Sequence, residues 1–160
     1  INLLNEDMQL MKHKMEERVG ILKIYPNIDS KCIRNFKSYK GLVLEGTGLG
    51  HMPISQSKRN KKIFIELKKL IKSGCIVAMA SQCIFGSVNM NVYSTGRELL
   101  SIGVIPAEDM TAETAYIKLA WLLGNYKKRD IVKELFGKNL RGEIKERVLP
   151  DEYLTEHDLG

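Results

Sequence analysis

Gly41-Leu42-Val43-Leu44-Glu45-Gly46-Thr47-Gly48-Leu49-Gly50-His51-Met52-Pro53 is a short apolar run that empties into a glycine-rich turn. Cys75-Ile76-Val77-Ala78-Met79-Ala80-Ser81-Gln82-Cys83 repeats the arrangement, apolar residues closing on polar ones. Runs of this length, bounded by turn residues, predict strands buried on both faces. Two strands that each end in a polar or glycine-rich loop mark one edge of an open α/β sheet. Such sheets bind ligands at that edge.

The segments around these strands extend the pattern. Ile63, Leu67, Leu70 and Ile71 recur at helical spacing within residues 58–73, with lysines opposite and Gly74 as a stop. Upstream, residues 19–25 predict a strand, ended by Pro26-Asn27. Asp29 or Ser30 can cap a short helix running through about Lys37. Downstream, residues 93–102 predict a helix, and Val104-Ile105 a short strand before Pro106. Thr111 can cap a helix over 112–123, with Glu113 set against its positive end. That helix is apolar almost all round, so a central position is expected, with Gly124-Asn125 as its end. A last helix spans 127–136. The alternation predicts the α/β class: a small three-layer domain with a parallel sheet of about four strands flanked by helices.

The expected organisation is a linker or docking segment over 1–18, a domain over 19–145 and a charged tail over 146–160. Met8, Met11 and Met15 could form one helical stripe in the first segment. The chain begins with Ile1 and reads as a fragment. Its 160 residues, 44% hydrophobic and 28% charged, suit one globular domain. No apolar run approaches the roughly 18 residues of a membrane span, and no secretion signal is visible. Cys32, Cys75 and Cys83 are isolated thiols that suit neither a zinc site nor a disulfide framework. They fit a reducing cytoplasm. Cys32 and Cys75 are expected to pack as small apolar groups, while Cys83 falls in the loop after the third strand.

The net charge of +6 is concentrated in Lys58-Arg59-Asn60-Lys61-Lys62 and in Lys68, Lys69 and Lys72. The cluster could face tRNA or an acidic partner. No aromatic residues interleave with the lysines, which favours the solvated face of an amphipathic helix.

The glycine turn invites a nucleotide reading, but Gly46-x-Gly48 has His51 where a dinucleotide fingerprint needs its third glycine. Pro53 then leaves no room for a helix opening on a phosphate, and no Walker A motif exists. Of the histidines His13, His51 and His157, only His51 is placed to meet a ligand. Ser81 lacks the G-x-S-x-G elbow of a hydrolase nucleophile. Ser81 and Gln82 either hydrogen-bond a ligand at the loop edge or cap their strand. The residues thus describe a ligand-contacting domain without its own nucleophile–base pair, and no metal site.

Val19-Gly20-Ile21-Leu22-Lys23-Ile24-Tyr25-Pro26 resembles the strand that opens the C-terminal domain of L-asparaginase-type amidohydrolases. Leu44 to Pro53 is similar to their next strand and turn. Ser81-Gln82-Cys83-Ile84-Phe85-Gly86-Ser87-Val88-Asn89 and Tyr93-Ser94-Thr95-Gly96-Arg97 resemble the following loop and helix. Asp109-Met110-Thr111 and Lys118-Leu119-Ala120-Trp121-Leu122-Leu123-Gly124 complete the order. The likeness covers about residues 17–145. Within the family, Asn91 to Leu100 and Met15-Glu16-Glu17-Arg18 are most similar to the glutaminase (D) subunits of archaeal glutamyl-tRNA(Gln) amidotransferases. Cytosolic L-asparaginases share most of the same words.

The resemblance implies that the threonine nucleophiles lie in a larger N-terminal domain, outside this chain. The C-terminal domain would complete the amino-acid pocket, often across a homodimer interface. Gly48 and Gly50 would let backbone approach the ligand, and His51 falls where some relatives carry a substrate-side asparagine. Ser81, Gln82 and Tyr93 would support that edge or face a partner. Lys118 would belong to a buried network or snorkel, rather than act as a base. The implied chemistry is hydrolysis of glutamine through a threonine ester. The ammonia would pass to a partner, the amidotransferase's E subunit, which uses ATP and Mg to convert Glu-tRNA(Gln) to Gln-tRNA(Gln). The asparaginase alternative hydrolyses asparagine. No cofactor is expected in this chain.

Residues 1–160 alone are accordingly expected to fold and to release no ammonia from either amide. An ammonia assay on the purified chain, free of contaminating enzyme, checks this; turnover would overturn it.

Overall fold

A computed structural model describes residues 12–145. The main chain runs through β1 (Val19–Lys23), α1 (Ser30–Arg34), β2 (Gly41–Gly46), α2 (Lys58–Lys72) and β3 (Ile76–Ser81). It continues through α3 (Ser94–Ser101), β4 (Ile105–Pro106), α4 (Ala112–Asn125) and α5 (Arg129–Phe136). The four strands form one parallel sheet in the order β1-β2-β3-β4.

The alternation of side chains across β2 and β3 divides the core in two. Leu42, Leu44, Val77 and Met79 face α1, α2 and α3, where Ile33, Ile63, Leu67 and Leu99 meet them. Val43, Ile76, Ala78 and Ala80 face the other way, onto Ala115, Leu119 and Leu122 of α4 and Val132 and Phe136 of α5. The small Ala78 and Ala80 let α4 lie close to the sheet. At Gly41 even a Cβ would come within 2.9 Å of Leu119 and Leu123 carbons.

Caps set the helix boundaries. Asp29, Ser57 and Thr111 each accept a backbone N–H of the first turn of α1, α2 and α4. Gly74, at φ +101, turns the chain out of α2. Helix α1 is shorter than expected: after Arg34 the bonds tighten to Phe36 N–Ile33 O and Lys37 N–Arg34 O. The last strand takes in Pro106, which an edge strand tolerates because one side of its backbone needs no donor.

Three expectations change around α4. Gly124 and Asn125 lie inside the helix, which ends at Tyr126. Gly124 serves a close approach instead: a Cβ there would fall 2.4 Å from the Lys14 carbonyl oxygen. The lead-in forms no helix over residues 12–18. It runs along α4, with the Trp121 indole donating to Lys12 O (2.7 Å), Asn125 Nδ2 to Lys14 O (2.7 Å) and Glu16 N to Ala120 O (3.0 Å). Met15 stands 45% exposed there, and Met8 and Met11 lie outside the described residues. Helix α4 is also not wholly central. Ile117 is 55% exposed, because the sheet needs only one side of the helix.

Lys118 is the buried exception on that helix. Its ammonium meets Glu143 at 2.6 Å and donates to Lys138 O at 2.5 Å. Burial draws its pKa down against the pull of Glu143, and a lysine so engaged serves structure. Cys75 is buried beside β3, where burial pushes its thiol up to about 12 and leaves it unreactive. Cys32 is half-buried, and its thiol lies 3.9 Å from the Tyr25 hydroxyl. The tail over 146–160, with His157, lies outside the described residues. Among the described residues no helix is long and apolar enough to cross a membrane.

Glu16 ties the lead-in to the sheet. Its carboxylate receives Lys40 Nζ at 2.7 Å and Arg18 Nε at 3.0 Å, and the Lys40 bond above all holds its pKa down to about 2. A folded pKa below the ordinary 4.5 gives stability that is whole above pH 4.5 and is lost as pH falls towards about 2. The melting temperatures of the parent and Glu16→Gln are expected to differ at about pH 6 and to converge as the pH falls through that window.

Candidate functional site

The C-terminal ends of β2 and β3 place the candidate residues together. After Gly46, the chain closes on itself through Thr47 N–His51 O (3.0 Å), His51 N–Thr47 O (2.9 Å) and Gly50 N–Thr47 O (3.1 Å). This turn needs left-handed backbone twice, at Gly48 (φ +51) and Gly50 (φ +93). The two glycines differ in surroundings. A Cβ on Gly48 would meet nothing within 4 Å, so its backbone lies open at the edge. A Cβ on Gly50 would fall 2.8 Å from Val88 and 3.0 Å from Met79.

Ser81 and Gln82 are committed to this edge. The Ser81 hydroxyl donates to Gly48 O at 2.6 Å and accepts from Cys83 N at 3.0 Å. The Gln82 side-chain amide donates to Ile24 O (2.5 Å) and Glu45 O (2.9 Å), and its backbone N–H to Gly46 O (2.8 Å). Gln82 thereby joins the ends of three strands, and Ser81 fixes where Gly48 stands. Both residues hold the frame, in keeping with strand capping. Cys83 follows them in an exposed position.

His51 packs edge-on against the Tyr93 ring, with centroids 4.8 Å apart and planes at 81°. Both imidazole nitrogens are buried and have no hydrogen-bond partner among the described residues. Tyr93 is itself exposed and stands at the N-cap of α3 without capping it through its side chain. The loop before it is pinned by Arg97, whose guanidinium donates to Asn91 O (2.7 Å) and Val92 O (3.2 Å). Leu49, Ile84, Phe85 and Val92 add exposed apolar surface from the loops of this edge.

Two groups at this edge escaped the sequence reading. Arg97 reads only as part of the Tyr93 to Arg97 likeness, with no role of its own. Glu108 follows β4 at φ +54, and its carbonyl receives Val88 N at 2.8 Å. Burial first, then the charge of Asp109, pushes its carboxyl up. Positive φ at a non-glycine residue is invisible in sequence; only the dipeptide Glu108-Asp109 after a proline hinted at a turn.

The Glutaminase/Asparaginase C-terminal domain family matches residues 18–136. The chain is 47% identical over 143 residues to the D subunit of the glutamyl-tRNA(Gln) amidotransferase of Pyrococcus abyssi, covering 88% of this chain and 31% of the relative. The corresponding D subunit of Methanococcus maripaludis is 45% identical over 151 residues, covering 90% and 34%. The chain therefore spans about a third of the length of these relatives. Among solved structures, the thermostable L-asparaginase of Thermococcus kodakarensis superposes with a TM-score of 0.76 at 30% identity, over 84% of this chain and 40% of that one. L-asparaginase I of Vibrio cholerae gives 0.73 at 32% identity, with the same coverage.

Substitution separates the two turn glycines. Gly48→Ala, with free space, is expected to cost only the left-handed backbone penalty of about 1–2 kcal/mol. Gly50→Ala adds a clash with Val88 and Met79 and should cost about 3 kcal/mol or more. Denaturant titration of both variants checks the order.

Proposed function

The chain belongs to the glutaminase/asparaginase family as its C-terminal domain, and from that premise we propose that it completes the amide pocket of the glutaminase subunit of a tRNA-dependent amidotransferase. The observation that carries this reading is the likeness at 47% identity to an amidotransferase D subunit along nearly the whole described domain. The likeness to solved L-asparaginases, at 30–32% identity, is weaker in sequence and supports the shared fold and hydrolytic chemistry.

In this reading the full-length protein hydrolyses glutamine to glutamate. The ammonia converts Glu-tRNA(Gln) to Gln-tRNA(Gln) on the partner E subunit, which binds ATP and Mg. The nucleophile belongs to another domain. This chain's share is positional. Gly48 offers backbone at an open edge, held by Ser81. Gly50 keeps the turn closed against Val88, and Gln82 secures the strand ends beneath it.

His51 supplies buried polar atoms at this edge that have no partner among the described residues. Two buried, unpartnered nitrogens are costly, at about 1–3 kcal/mol for each unmet bond. A partner delivered when the pocket is assembled removes that cost. The amino acid end of the substrate, or a group of the facing domain in a homodimer, has the required chemistry. Tyr93 holds the ring in place and presents its own hydroxyl at the same edge. The apolar surface of Leu49, Ile84, Phe85 and Val92 fits burial against that facing domain.

Ammonia release by the full-length protein, with glutamine and asparagine compared, with and without the E subunit and charged tRNA, tests the reading. Glutamine hydrolysis that rises in the complex is expected. Strong asparagine turnover by the protein alone would overturn it in favour of an L-asparaginase. In the same assay His51→Ala should raise KM for glutamine by roughly tenfold, the worth of one hydrogen bond.

A further inference from the structure

The opposite edge of the sheet, where β2 and β3 begin, holds a cavity of about 690 Å3. It lies between residues 37–40, the turn at 73–74, the end of α4 and residues 13–14 of the lead-in. Lys14, Lys37, Lys40, Lys127 and Arg129 line it, and among the described residues no Asp or Glu does. Only Lys40 of these is in an ion pair among the described residues, with Glu16 at 2.7 Å. Lys14, Lys127 and Arg129 therefore converge on one concavity with no ion-pair partner among the described residues, and Lys37, whose charge also reaches Glu66, adds to a positive field that an anion would relieve.

The backbone makes room for this arrangement. Arg129 lies over Gly74, where a Cβ would fall within 2.3 Å of three guanidinium atoms. Gly74 serves the turn and also vacates the space the guanidinium occupies. Two aromatic residues, Tyr39 and Tyr126, stand in the same lining. The lysine face of α2 has no such interleaving. Here two rings stand among the cations, Tyr39 packed edge-on against Phe36 and Tyr126 under the Lys12 ammonium, so the lining pairs positive charge with aromatic surface as sites for nucleic acid do.

We propose that this cleft binds the phosphodiester backbone of an RNA, at a site separate from the amide pocket and on the far side of the sheet. The choice of RNA over other polyanions rests on the amidotransferase reading; the cleft's preference for phosphate does not. Lys37 and Lys127 project from different walls and are exposed, so their charge can be changed without touching the core.

The test uses the full-length protein without the E subunit, and a fluorescently labelled, uncharged tRNA transcript as the probe. Lys37→Glu with Lys127→Glu is expected to weaken binding at least tenfold at low salt. The slope of log K against log salt should fall by about 2, one for each phosphate no longer neutralised. The milder Lys37→Gln with Lys127→Gln should show a smaller effect in the same direction. Lys58→Glu with Lys61→Glu on α2 should leave binding unchanged. Unaltered affinity and slope in the cleft variants would overturn the proposal, as would an equal weakening from the α2 variants. Displacement of the transcript by polyglutamate at matched charge would overturn it in favour of an acidic protein partner. Glutamine hydrolysis, measured on the same variants, should stay at the parent rate. If the parent instead hydrolyses only asparagine while the cleft still binds the transcript, the amidotransferase reading falls and the cleft stands.

Discussion

Strand β2 has no solvent-facing side. Leu42 and Leu44 are buried against one helical layer and Val43 against the other. A strand in that position must be covered twice, and its backbone must be paired on both sides, here by β1 and β3. Burial of one strand thus dictates three layers. Parallel pairing then requires that all strands finish at the same edge, where the chain leaves the sheet in loops and the backbone becomes available to a ligand.

In the proposed reading that edge is a frame that another surface completes. Ser81 and Gln82 use their side chains to fasten the turn to the strands. His51 and Tyr93 are the groups left over: one with buried, unpartnered nitrogens, the other exposed beside it. A domain that spans about a third of its relatives is expected to present such half-finished surfaces where the rest of the protein meets it. The basic cleft lies at the other end of the same strands, so the sheet separates two surfaces of different chemistry.

Much of this was legible in the chain. The apolar runs of β2 and β3 and the lysine-backed helix were plain because burial on a regular element leaves its pattern in sequence. The glycine turn was legible because left-handed backbone restricts residue choice. Gly124 misled for a related reason: glycine marks either a helix end or a close approach, and only Lys14 passing over α4 decides between them. The apolar girdle of α4 suggested full burial, but Trp121 spends its indole N–H on the lead-in and Ile117 faces outward. The contacts of Glu108 and Arg97 were not legible, since they depend on loops whose path no periodicity encodes.

By itself the sequence determined the elements, their order, the parallel α/β class and the glycine turn after β2. Each of these follows from local steric preference or from a burial pattern written along the chain. Only the tertiary structure decided that Ser81 and Gln82 are fastenings and that His51 lies unpartnered under Tyr93. It alone gathered Lys14, Lys37, Lys127 and Arg129, scattered over more than a hundred residues, around one cavity. Hydrogen-bond satisfaction and charge convergence depend on distances between segments far apart in the chain, and those distances exist only once the sheet has brought its strands together.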